Sequence, residues 1–314
     1  MKAYRKTLST ELIKCLNNLY EEKGSWWQTI VDDKQVFILV RENELHVLVQ
    51  GALLLKISMD KYGLVCKTHE KHLSAGAGNA PYVKTSTDQM HSCYRRIEGN
   101  GLTEFVNNYD KIISLIEQIH AKHKEKRHCH IISMNIKEIF EREFGLVLEE
   151  DNKRKRAQFA DLQVVSNDGR MVFVEVKLLS NNEILPLDMR SAVNKDKKYV
   201  VTQLKKYEEI IKSHKEEIGK AYAEQYKTYL ALNGAFFDRK FPAPEKIKIY
   251  PTVRLIITKF EEAPKRKPLL PKIREGIEEG MEWGEKTDNL IIMDNPNEIN
   301  AGDIFKGIQE CELI

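Results

Sequence analysis

The stretch FADLQVVSNDGRMVFVEVKLL, Phe159 to Leu179, holds two runs of apolar residues separated by Ser166-Asn167-Asp168-Gly169. β-branched and aromatic residues on either side of a Gly-containing polar turn predict a β-hairpin. The second run is unusual because Glu175 and Lys177 sit inside it, two residues apart. Successive strand side chains point to opposite faces, so Phe173, Glu175 and Lys177 share one face. Val172, Val174, Val176 and Leu178 form the other, which is the core face.

The turn decides what lies across from the charges. If Asn167, Asp168 and Gly169 make a three-residue loop with Gly169 left-handed, Ser166 pairs with Arg170. Counting outward then sets Gln163 across from Phe173 and Asp161 across from Glu175. A two-residue loop at Asp168-Gly169 would set Leu162 there instead. The first register is preferred, because two turn-favouring residues precede Gly169.

Two carboxylates side by side on a sheet repel, at a cost comparable to the roughly 0.2–1 kcal/mol typical of cross-strand pairs. A divalent cation removes the repulsion, and hard oxygen donors suit Mg²⁺ or Mn²⁺ better than zinc. Asp161 and Glu175 are therefore candidate metal ligands, and Lys177 is a candidate to polarise a phosphate or help deprotonate water. The alternative is an exposed edge strand on which Glu175 and Lys177 pair across solvent.

The flanking segments add to this. NIKEIFEREFGL, Asn135 to Leu146, is expected to be helical, with Ile136, Ile139, Phe140 and Phe144 as its apolar stripe. Glu143 falls on that seam and could reach a metal, with Glu138 and Glu141 as competitors. In YVVTQLKKYEEII, Gln203 and Tyr207 are four apart and share a helix face with Leu204 and Ile211. An unsatisfied buried amide costs about 1–3 kcal/mol, so Gln203 needs partners.

Together, Asp161, Glu175-Val176-Lys177, an upstream glutamate and Gln203-x-x-x-Tyr207 resemble the PD-(D/E)XK nuclease superfamily, and the last element is similar to its RecB-like branch. The likeness spans roughly Asn135 to Tyr207. Ala160 stands where the family name has proline, at a position that varies widely. The resemblance implies a restriction-endonuclease-like mixed sheet flanked by helices. It also implies that Asp161, Glu175, the Val176 carbonyl and Glu143 hold Mg²⁺ or Mn²⁺. Lys177 would orient or activate water, while Gln203 and Tyr207 would brace the site and touch the nucleic-acid backbone. The basic residues Lys153, Arg154, Lys155, Arg156, Lys205 and Lys206 would contact phosphates, as would Lys197 and Lys198. The implied activity is Mg-dependent hydrolysis of DNA phosphodiesters in a bacterial defence or restriction setting, acting as a homodimer or with a partner protein. The alternatives are a catalytically silent subunit for nucleic-acid binding or assembly, and an RNA-directed nuclease.

The rest of the chain is consistent with two domains within 314 residues, about 1–125 and 126–314, and with an α/β class overall. The first is expected to be an α+β recognition or oligomerisation module. A helix from Thr7 to Glu22 precedes QVFILV, ELHVLVQG, ALLLKISM and YGLVCKT, which read as an antiparallel meander. SAGAGNAPYVKTSTD is an unusually long Gly/Ser/Thr-rich loop, and GLTEFVNNYDKIISLIEQIHAKH is a strongly amphipathic helix. The basic run Lys122 to His130 marks the expected boundary. Beyond the hairpin, a long helical stretch from Lys197 to about Leu232, either continuous or broken near Ser213 to Gly219, a strand in IYPTVRLIITKF, a helix in KPLLPKIREGIEEGME and a strand in DNLIIMDN are expected.

Hydrophobic residues at 42% are enough for a core, and no apolar run approaches the roughly 20 residues of a spanning helix. No signal-peptide-like segment is read at the N-terminus. Five cysteines, scattered and odd in number, argue against a disulfide framework, so a cytoplasmic location away from membranes is expected. His91, Cys93, His128, Cys129 and His130 lack the paired spacing of structural zinc. GAGNAP lacks the Lys-Ser/Thr of a P-loop. Net charge of +3 says little about partners, but the basic runs, PKRKPLLPKIR among them, could follow a phosphate backbone.

Overall fold

In the computed structural model the described residues are 2–3, 6–72, 85–86, 94–97, 101–120, 124–150, 153–189, 199–234, 239–259, 261, 263–283 and 288–309. The chain divides into two compact units. One comprises Met1–Ala3, Ile131–Lys220 and Lys240–Ile314; the other comprises Tyr4–His130 and Ala221–Arg239. Each is built from two segments or more, so neither unit is one unbroken run of sequence. Among the described residues no helix is long and apolar enough to cross a membrane.

The N-terminal unit is organised on an antiparallel sheet. Strands β2 (Val36–Arg41), β3 (Glu44–Val49), β4 (Ala52–Asp60) and β5 (Gly63–His69) pair in sequence order, as expected for the meander. β7 (Tyr94–Ile97) and β6 (Thr85–Ser86) extend it beyond β5. Thr85–Ser86 apart, nearly all of the Gly/Ser-rich loop lies outside the described residues. Helix α1 (Thr10–Glu21) starts at Ser9, whose hydroxyl accepts from the Leu12 amide, and it buries Leu12 and Leu16; the short helix α2 (Trp26–Asp32) follows. The single helix expected after Gly101 is two, α3 (Gly101–Asn107) and α4 (Tyr109–His120). Asn108 lies between them, its side-chain amide donating to the Glu104 carbonyl. A side-chain bond to the backbone of this kind competes with continuation of the helix.

The C-terminal unit carries a mixed sheet in the order β1-β8-β9-β10-β12-β13, with β11 also on β10. The strands are β1 (Lys2–Ala3), β8 (Ile139–Glu150), β9 (Lys153–Val165), β10 (Arg170–Leu178), β11 (Lys248–Ile249), β12 (Arg254–Thr258) and β13 (Leu290–Ile292). β8, β9 and β10 are antiparallel, whereas β10, β12 and β13 run parallel. β10 is thus internal, flanked by β9 and β12, and every residue from Met171 to Leu178 is buried. Parallel neighbours need a crossover. Helices α6 (Val200–Ser213) and α7 (Lys215–Ala231) intervene between β10 and β12, and α8 (Leu270–Met281) between β12 and β13. The long helical stretch is interrupted at His214. A short helix, α9 (Ala301–Phe305), follows β13.

One expected element is overturned. Helix α5 (Lys124–Asn135) ends at Asn135, and Ile139–Glu150 is strand β8, not a helix. Ile139, Phe140, Glu141 and Arg142 are all buried, on both faces of the sheet. A strand covered on both faces loses its two-residue alternation, and its apolar positions can then imitate a helical stripe. Pairing along β9 decides the outcome.

The hairpin turn adopts the three-residue form. Gly169 is left-handed at φ 97°, its amide donates to the Ser166 carbonyl at 3.0 Å, and the Ser166 amide donates to the Arg170 carbonyl at 2.9 Å. A Cβ on Gly169 would also lie 2.1 Å from the Lys246 carbonyl oxygen. Gly169→Ala is therefore expected to destabilise through left-handed strain of about 1–2 kcal/mol plus a backbone clash of similar size. Gly24→Ala, also left-handed at φ 77° but with nothing within 4 Å of its Cβ, should show the strain alone. Urea unfolding of the two variants checks this; equal losses would contradict it.

Candidate active site

The β9–β10 ladder pairs Met171 with Val165, Phe173 with Gln163 and Val174 with Leu162. One step further in that register sets Asp161 beside Glu175. There the ladder stops. The Asp161 carboxylate, through Oδ2, accepts the Val176 amide at 2.9 Å, in place of a main-chain carbonyl. Within a strand, the N–H and C=O of one residue point to the same edge. The Val176 carbonyl therefore faces the edge on which the Asp161 carboxylate sits.

Glu175 and Lys177 are 3% and 5% exposed, so they are not an exposed charged edge. Their parallel partners on β12, Leu255 and Ile257, are buried as well. A buried charge needs a partner, and Lys177 has two: its Nζ lies 2.8 Å from Glu175 Oε1 and 3.0 Å from Glu183 Oε2. Glu175 Oε1 also accepts from Gln203 Nε2 at 3.0 Å. The same Gln203 amide donates to the Tyr207 hydroxyl one helical turn on. Burial, followed by the negative charge of Glu175, pushes the Tyr207 phenol far above its ordinary range, so it stays a neutral hydroxyl.

α6 presents these groups because its inner face is apolar. Val200, Leu204, Tyr207 and Ile211 repeat at helical spacing and are buried. Gln203 lies beside that stripe and is half-buried.

Asp161, Glu175, Lys177, Gln203 and Tyr207 are thus brought together in one linked cluster. Glu143 is not on a helix but on β8, between Arg142, which pairs with Leu162, and Phe144, which pairs with Ala160. That makes it level with Asp161, in a left-handed conformation at φ 49°. Glu141, fully buried, pairs with Gln163 instead. Among the described residues no group of three or more His, Cys, Asp and Glu that could hold a metal ion is found. Lys205 is exposed and pairs with Glu282 at 3.1 Å, and Lys206 is exposed on the same helix. The side chains of Lys153, Arg154, Lys155 and Arg156 lie outside the described residues, as do His91, Cys93, Lys197 and Lys198.

Two functional candidates escaped the sequence. Glu183 belongs to a short 3₁₀ turn, Asn182–Ile184, capped by the Asn181 side chain on the Glu183 amide at 2.9 Å. Arg266, read above as part of a phosphate-following run, is turned onto this turn. Its guanidinium donates to the Leu179 and Asn181 carbonyls, each at 3.0 Å, and to Asn182 Oδ1. Neither shows a sequence signal, because a 3₁₀ turn has no apolar period and a basic run looks the same whether solvated or docked.

No protein-family model, curated protein or solved structure matches the chain.

The buried ion pair has a stability consequence. Lys177→Met leaves Glu175 without its ammonium and is expected to cost about 3–5 kcal/mol. Glu175→Leu combined with Lys177→Met should recover most of that, a coupling that a denaturation double-mutant cycle measures directly. Additive losses would mean the two side chains do not depend on each other.

Proposed function

We propose that the C-terminal unit is a divalent-metal-dependent nuclease of the PD-(D/E)XK type, hydrolysing phosphodiesters of DNA. The observation that carries this is the shared contact at Glu175 Oε1: Lys177 and Gln203 converge on it while Asp161 sits one strand away. The connectivity, with an internal strand between an antiparallel hairpin partner and a parallel neighbour reached through helices, agrees with the fold the resemblance implies.

The donor set suits a hard cation. Asp161 and Glu175 supply carboxylates and Val176 a carbonyl directed to the same edge, all oxygen, which fits Mg²⁺ or Mn²⁺. Such a cation, when bound, supplies Lewis-acid polarisation of a phosphoryl oxygen and a more acidic water. Lys177 would offer positive charge to an anionic phosphoryl oxygen or a nucleophilic water. Gln203 fixes the orientation of the Glu175 carboxylate, and the neutral Tyr207 hydroxyl gives the Gln203 amide a second acceptor. DNA as substrate, a defence or restriction role and pairing with a second copy or another protein rest on the resemblance alone.

A second assignment, a silent nucleic-acid-binding or assembly subunit, is favoured by one observation: Glu175 is already neutralised by a buried ammonium at 2.8 Å. Incubation with plasmid, linear DNA and structured RNA, in Mg²⁺ or in EDTA, separates these. Cleavage of DNA that requires Mg²⁺ and falls at least about a hundredfold in Lys177→Ala and Glu175→Ala is expected. Tight binding without cleavage would support the silent subunit, and preferential RNA cleavage an RNA-directed enzyme.

A further inference from the structure

Lys177 sits between two carboxylates that differ in kind. Glu175 is on the internal strand, its side chain 4% exposed, and is a candidate cation ligand; Glu183 is on the turn after that strand, its side chain 33% exposed. The ammonium is within 3.0 Å of both. A dication held by Glu175 would lie close to this ammonium, and like charges at close range repel strongly where water is scarce. The ammonium then needs somewhere to go without leaving the site.

We infer that Glu183 is a positioning residue that holds the Lys177 ammonium aside, so that Glu175 can serve a metal ion. The inference rests on the hydrolytic assignment above. Glu183 suits the task because its turn is clamped. The Arg266 guanidinium binds the Leu179 and Asn181 carbonyls and the Asn182 side chain, and Asn181 caps the Glu183 amide. Burial holds the Arg266 pKa below its ordinary value. A fixed carboxylate on one side of Lys177 already contacts the ammonium at 3.0 Å and can keep it when Glu175 turns to a metal. Without it, the ammonium pairs with Glu175 and competes with the metal for that ligand.

The test is Mn²⁺ binding to the full chain, followed by the electron-paramagnetic signal of free Mn²⁺, with circular dichroism to confirm folding. Glu183→Gln is expected to weaken Mn²⁺ binding about tenfold relative to wild type. In a Lys177→Met background the same change should have little effect, within about twofold, because Glu183 acts through the ammonium. Arg266→Met, which removes a positive charge, would strengthen cation binding on electrostatic grounds alone; a positioning role predicts that it weakens binding. Unchanged affinity in Glu183→Gln, an undiminished loss in the Lys177→Met background, or tighter binding in Arg266→Met overturns the inference. A folded wild type that takes up no Mn²⁺ overturns the metal assignment beneath it.

Discussion

Side chains on a strand change face at every residue, so the three residues of the turn at 167–169 choose between two incompatible interiors for β9 and β10. With Gly169 left-handed and Ser166 bonded to Arg170, Phe173 meets Gln163 and Asp161 comes level with Glu175. A slip of one residue would set Leu162 there and turn Asp161 toward the valine face. The clustering of Asp161, Glu175 and Lys177 at the end of β10 depends on that choice, as does the termination of the ladder by the Asp161 carboxylate on the Val176 amide.

The cluster is an expensive thing to bury. Charges removed from water are stabilised only when geometry and hydrogen bonds compensate their desolvation, and apolar replacements are often neutral or better for stability. Here an ammonium and two carboxylates, with an amide and a phenol behind them, gather at one end of an internal strand whose other buried positions are apolar. Stability alone does not account for polar groups there. The proposed chemistry would account for them, since it needs hard oxygen donors next to a positive charge.

Much of this was legible because it is local. The meander from Val36 to His69 alternates with short turns, and its strands pair as sequence order suggests. The hairpin could be counted because Gly169 follows Asn167 and Asp168. Gln203 and Tyr207 were placed by helical spacing. What was not legible depends on distant packing. Asn135 to Leu146 reads as a helix until β9 is present to pair from Ile139 onward and bury both faces of that strand. Arg266 reaches the turn that carries Glu183 by bonding Asn182, 84 positions away, and no periodicity announces that turn. The assignment of residues 221–239 to the N-terminal unit has no composition change to mark it.

The central claim is that the hairpin register makes Asp161 and Glu175 a shared cation site. A crystal structure grown in Mn²⁺, with anomalous differences measured at the manganese edge, tests it most directly. The account predicts a peak at coordination distance, about 2.1 Å, from carboxylate oxygens of both Asp161 and Glu175, with the Lys177 ammonium moved onto Glu183. A peak at other residues, or none while Lys177 remains on Glu175, would contradict it.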